Sequence, residues 1–76
     1  MPKLPRISGA EAIRALERMG FTRVRQRGSH VVMKRQTPQG AVGCSVPLHS
    51  ELAIGTLRGI LRLAKVEPED FIRILG

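Results

Sequence analysis

The hydrophobic pattern switches from a helical repeat to an alternating one at Gly20 and back to a helical one near residue 54, and these switches limit the available folds more than any other feature. A repeat of about 3.6 marks a helix with one buried stripe, and a repeat of two marks a strand with one buried face. Before Gly20, residues Ile13, Leu16 and Met19, with Ala10, Ala12 and Ala15 nearby, form an apolar stripe, while Glu11, Arg14, Glu17 and Arg18 take the polar side. Ser8-Gly9-Ala10-Glu11 has the spacing of a capping box, which predicts a helix start at Ser8, and Gly20 supplies a left-handed stop.

Beyond Gly20, Arg23, Arg25 and Arg27 alternate with Thr22, Val24 and Gln26. Gly28-Ser29 then interrupts the run before His30-Val31-Val32-Met33-Lys34-Arg35, which predicts two strands joined by a tight turn. Thr37-Pro38-Gln39-Gly40 is turn chemistry leading into a third strand. There Val42, Cys44, Val46 and Leu48 fall on one face, with Gly43, Ser45, Pro47 and His49 on the other. Leu57, Ile60, Leu61 and Ala64 predict a second helix over about 54–65, with Arg58, Arg62 and Lys65 outward. Pro68 suits the first turn of a short last helix carrying Phe71, Ile72, Ile74 and Leu75, and Glu67, Glu69 and Asp70 complement its positive end. The expected architecture is α+β: α-β-β-β-α with a terminal helical piece, a three-stranded antiparallel sheet with helices on one face and the other face open.

Seventy-six residues allow one domain, 1–76, whose first six residues are expected to form a flexible lead. The lone Cys44 rules out an internal disulfide and reads as a small buried hydrophobe, which makes a reducing cytoplasm the expected location. No apolar run suits a signal peptide or approaches the ~20 residues that span a bilayer. The net charge is +7, and the first 35 residues hold nine basic and two acidic side chains against four of each in the remainder. Such a cationic half calls for a polyanion: nucleic acid, an acidic membrane or an acidic protein. A membrane fits poorly, because the basic strand lacks aromatic or long aliphatic residues between its arginines. Ten Arg against three Lys favours bidentate phosphate contacts, and the scarcity of aromatics argues against base stacking.

No phosphate loop, dinucleotide fingerprint or paired cysteines are present. Cys44, His30 and His49 lack any metal-ligand spacing, so neither a metal nor a cofactor is expected. His30 follows a glycine turn and three arginines, a setting for proton transfer beside a phosphate; on pattern alone it also reads as a half-buried strand residue sharing a face with Val32. His49 is either a second proton carrier or a loop histidine. The spacing of Arg23, Arg25 and Arg27 puts all three on one strand face, as phosphate ligands or as charges that guard a sheet edge. Gly55-Thr56-Leu57-Arg58 reads as an anion site at a helix N-terminus or as an ordinary helix start.

Ser8-Gly9, Gly20-Phe21, Arg25-Gln26-Arg27-Gly28-Ser29-His30, Val46-Pro47-Leu48-His49, Glu51-Leu52, Gly55-Thr56-Leu57-Arg58 and Ile60-Leu61, in this order, resemble the HicA toxin family over nearly the whole chain. The resemblance implies a fold like a double-stranded-RNA-binding domain and an mRNA-cleaving toxin neutralised by a HicB-type antitoxin that covers the active site. It implies that His30, within the Gly28-Ser29-His30 motif, is catalytic. The expected function is therefore a metal-independent endoribonuclease in which His30 is a general acid or base, with Ser29 or His49 as auxiliaries. Arg23, Arg25, Arg27, Lys34 and Arg58 would hold RNA phosphates, and Gly28, Gly55 and Thr56 would shape the backbone. The alternative is a non-catalytic RNA-binding or antitoxin-binding module with the same basic face.

Overall fold

A computed structural model describes residues 3–75. Helix α1 (Gly9–Arg18) is followed by strands β1 (Thr22–Arg27), β2 (His30–Thr37) and β3 (Gly40–Pro47), then helices α2 (Ile54–Ala64) and α3 (Pro68–Leu75). The strands form one antiparallel sheet in the order β1-β2-β3. This is the expected α-β-β-β-α arrangement with α3 appended.

Local chemistry sets the helix ends. The Ser8 hydroxyl accepts from the Glu11 N–H at 3.0 Å, and Glu11 Oε1 accepts from the Ser8 N–H at 2.9 Å, completing the capping box. The Ser8 backbone bond first, and its side-chain bond second, hold the Glu11 carboxyl below the usual carboxylate range. At the other end Gly20 sits at φ +98°, the Phe21 N–H reaches the Leu16 carbonyl and the Gly20 N–H reaches that of Glu17. Helix α2 ends with the same pair of bonds, Val66 to Leu61 and Lys65 to Arg62, but its left-handed residue is Lys65. Both are Schellman endings in which the residue after the left-handed one, Phe21 or Val66, packs back into the core.

Val31 and Met33 of β2 and Cys44 and Val46 of β3 are buried against the helices, with Ile13, Leu16, Leu57, Leu61 and Phe71 among the packed residues. Helix α2 lies along β3, and α1 touches α3, β3 and β1. Arg35 closes one edge of this core: its guanidinium lies 5.0 Å from the Phe21 ring centroid and donates to the Met19 carbonyl at 3.1 Å.

Two expectations give way here. Leu48, expected on the core face, is 40% exposed, and Pro47, which keeps its expected place opposite His30, is nonetheless buried. Alternation ends with β3 at Pro47, after which the chain turns under α1, where the Gly9 N–H donates to the His49 carbonyl at 2.9 Å. Of the expected lead over 1–6, residues 1 and 2 lie outside the described residues. Within the rest, Leu4 is buried in the core and Arg6 pairs with Glu51 at 3.1 Å, which anchors the segment at these two residues while Lys3 and Pro5 are exposed.

Gly9 faces the Pro47 carbonyl so closely that a Cβ at this position would collide with it, whereas a Cβ on Gly59, within α2, would meet open space. Gly9→Ala is therefore expected to lower stability by about 2 kcal/mol, and Gly59→Ala to raise it by about 0.5–1 kcal/mol. Urea unfolding of the two variants measures both.

Candidate functional site

Register assigns the faces, because directly opposed residues on neighbouring strands point to the same side. His30 is opposite Arg27 on β1 and Pro47 on β3, and Val32 is opposite Arg25 and Ser45. Since Val31 and Met33 point into the core, His30, Val32 and Lys34 point to the uncovered face, together with Arg25 and Arg27.

Arg23 does not join them. The register shifts between Arg23 and Arg25, where β1 carries an extra residue, Val24, and Arg23 is opposite the core residue Met33. A bulge reverses the alternation on one strand. Arg23 therefore turns toward the helices and pairs with Glu17 of α1 at 3.2 Å. The expectation of three arginines on one face is corrected to two, Arg25 and Arg27, about 7 Å apart along the strand. Lys34 lies on the same face about 13 Å from His30 along β2.

His30 is exposed, which removes the reading of it as a half-buried strand residue. It sits directly after a two-residue turn in which Gly28 has φ +58° and Ser29 does not have a positive φ. This is the pattern of a II′ hairpin, whose first central position favours glycine. The Gln26 side-chain amide donates to the Gly28 carbonyl at 2.9 Å and braces the turn. The Leu48 N–H donates to the Ser29 carbonyl at 2.7 Å, extending the ladder one step past Pro47 and bringing the His49 backbone to the His30 end of the sheet. His49 is itself exposed.

Gly55, Thr56 and Arg58 belong to α2, on the helix-covered side, and the fold does not bring them onto the face that carries His30. The N-terminus of α2 has Ala53 as its cap residue, with no side-chain bond and no acidic residue in the first turn. Ser45, which the sequence pattern does not single out as a site residue, places its exposed hydroxyl on the His30 face opposite Val32. The parity set by buried Cys44 is the signal that locates it.

Electrostatically the uncovered face is one-signed. All six carboxylates lie outside 22–47, so Arg25, Arg27 and Lys34 stand on a sheet without a negative side chain. Among the described residues no ion pair or side-chain hydrogen bond involves Arg25, Arg27, His30 or Lys34 side chains. Cys44 points to the opposite face from His30, and among the described residues no three His, Cys, Asp or Glu side chains gather as metal ligands. No described helix is long and apolar enough to cross a membrane.

The fold and this face define a small basic α+β protein with an exposed histidine beside two arginines and a lysine. A family model described as "HicA toxin of bacterial toxin-antitoxin" matches residues 9–66, and the chain belongs to that family. It is thus a toxin of a toxin–antitoxin system, and membership implies a protein partner. No match is found among curated proteins.

Burial pushes the Cys44 thiol up to about 11 from 9.0. Iodoacetamide at pH 8 is expected to leave the folded chain unmodified and to alkylate it in denaturant. Because the folded thiol holds its proton to higher pH than the unfolded one, its contribution to stability is complete below about 9 and lost as pH rises to about 11. Urea midpoints across that window are expected to fall further for the native chain than for Cys44→Ala.

Proposed function

We propose that this toxin is a metal-independent endoribonuclease that cleaves mRNA on the uncovered sheet face, with His30 as the proton-transfer group. One observation carries the reading: an exposed histidine stands opposite Arg27 and near Arg25, on a face with no carboxylate. Family membership supports it.

RNA brings its own nucleophile to such a face, the 2′-hydroxyl. His30 in its neutral form takes the 2′ proton as the 2′ oxygen attacks the adjacent phosphorus; the bond from phosphorus to the 5′ oxygen breaks, and that oxygen receives a proton. The products are a 2′,3′-cyclic phosphate and a 5′-hydroxyl. Arg25 and Arg27 offset charge on the non-bridging oxygens as it builds up, the kind of preorganised electrostatic help that lowers such barriers most. Lys34 holds backbone farther along the strand. His49, at the same end of the sheet, is the candidate donor to the leaving oxygen, and Ser29 shapes the turn beside it. Arg23, engaged with Glu17, and Arg58, on α2, stand outside this cradle. A HicB-type antitoxin with an acidic surface neutralises the toxin by covering the face, since charge complementarity guides such pairing.

Expressed without a partner, the wild type is expected to cleave transcripts and arrest growth, and to keep cleaving in EDTA as purified protein. His30→Ala is expected to lose cleavage by at least about 100-fold. Equal toxicity of the two forms would favour the non-catalytic binding module.

The bulge supplies a second test. In the His30→Ala background, Arg25→Ala and Arg27→Ala are each expected to weaken RNA binding and to reduce the slope of log affinity against log salt by about one. Arg23→Ala is expected to leave that slope unchanged. Filter binding across a sodium chloride series measures all three.

A further inference from the structure

The two edges of the sheet are built differently. β1 carries Arg23, Arg25 and Arg27 and a bulge, the usual means of preventing another strand from pairing. β3 has neither device: over Gly40–Pro47 it carries no charged residue, and its register against β2 runs from Gly40 to Pro47 without a shift.

The tight hairpin closed by the pair Thr37 and Gly40 sets which backbone groups of β3 turn inward. In an antiparallel ladder, alternate residues exchange both bonds with the partner strand. Gly40, Val42, Cys44 and Val46 therefore bond to β2, while Ala41, Gly43 and Ser45 present N–H and C=O groups to the outside. All three have side chains too small to screen them. Among the described residues no hydrogen bond from a loop, helix or side chain reaches these groups.

Beside this edge, on the helix side, lies a groove between the β2–β3 hairpin and the end of α2. Val42 and Arg35 line it from the sheet and Lys65 from the helix end, and no carboxylate contributes to it. Val42 is only partly buried. A strand added to β3 would point every second side chain to the helix side, and the one beside Ala41 and Val42 into this groove. Apolar atoms there would meet Val42, and negative charge would meet Lys65, which has no ion-pair partner among the described residues.

We infer that the β3 edge, from Ala41 to Ser45, is a docking site for an acidic extended segment of a protein partner, which adds a fourth strand to the sheet. This rests on reading the chain as one member of a toxin–antitoxin pair, and it extends the partner's contact beyond the His30 face. A second copy of the chain is a poorer occupant, because it would bring a net charge of +7 against an identical +7 and set cations toward cations. Strand addition gives affinity through main-chain bonds and selectivity through alternate side chains.

The test uses the ¹⁵N-labelled full chain and an acetylated, amidated octapeptide that alternates glutamate with valine. Expected are shift changes and slowed amide exchange at Ala41, Gly43 and Ser45, with β1 unaffected. The lysine counterpart of the peptide is expected to bind at least tenfold more weakly. Ala41→Pro and Ser45→Pro, which remove an outward N–H and leave the bonds to β2 intact, are each expected to weaken binding at least tenfold. The inference is overturned by an unchanged β3 at millimolar peptide, by protection on β1 instead, or by equal binding of the lysine peptide. It is also overturned if protection of β3 grows with chain concentration alone and sedimentation shows a dimer, since the occupant would then be a second copy. None of these readouts involves RNA cleavage, so failure of the ribonuclease reading leaves a distinct result.

Discussion

Burial of Val31, Met33, Cys44 and Val46 against the helix layer is the constraint from which the rest of the sheet follows. A strand has a side-chain period of two, so seating these four residues inward compels His30, Val32, Lys34 and Ser45 outward. A slip of one residue would bury the histidine and lysine and expose the aliphatic residues, at a cost in apolar burial far above anything a surface interaction repays. The uncovered face is thus positioned by the core beneath it, and its polar residues need no bonds of their own to hold their direction.

That dependence explains what was legible in the sequence. Both helix starts and ends with clear local chemistry, the Ser8 to Glu11 box and Gly20, can be read directly, as can the strand turn at Gly28-Ser29 and the burial of Cys44. The bulge at Val24 cannot be, because Arg-Val-Arg-Gln-Arg alternates perfectly and the extra residue is defined only by the pairing of its neighbours, Arg23 with Met33 and Arg25 with Val32. The fate of Leu48 was hidden for a similar reason: alternation predicts a face only while the strand lasts, and contact with Gly9 of α1, far away in sequence, ends it at Pro47. At the candidate site, the turn before His30 was legible from spacing and His30 was singled out by the family resemblance, whereas the departure of Arg23 from the face and the presence of Ser45 on it required the ladder.

Charge and packing are also separated in space. The carboxylates sit on the helices and their flanking segments, where Glu11 completes a cap, Glu17 takes Arg23, Glu51 takes Arg6 and Asp70 takes Arg73. Four of the six acidic residues thus fasten local structure, and every charged side chain on the strands is cationic. Part of the chain's positive excess, Arg25, Arg27 and Lys34, therefore stands over one surface with no carboxylate on the sheet to offset it.

The manner in which β1 is held has a consequence for motion. None of its six residues is buried, so the strand is retained by its ladder to β2, by the Arg23 to Glu17 pair and by its two ends, buried Phe21 and the Gly28-Ser29 turn. Segments with few apolar contacts open at the lowest free energy. The strand bearing Arg25 and Arg27 is consequently the first part of the sheet to breathe, while His30 rides on the central strand. The histidine therefore stands on the strand paired on both sides, and the arginines beside it on the strand with the fewest apolar contacts.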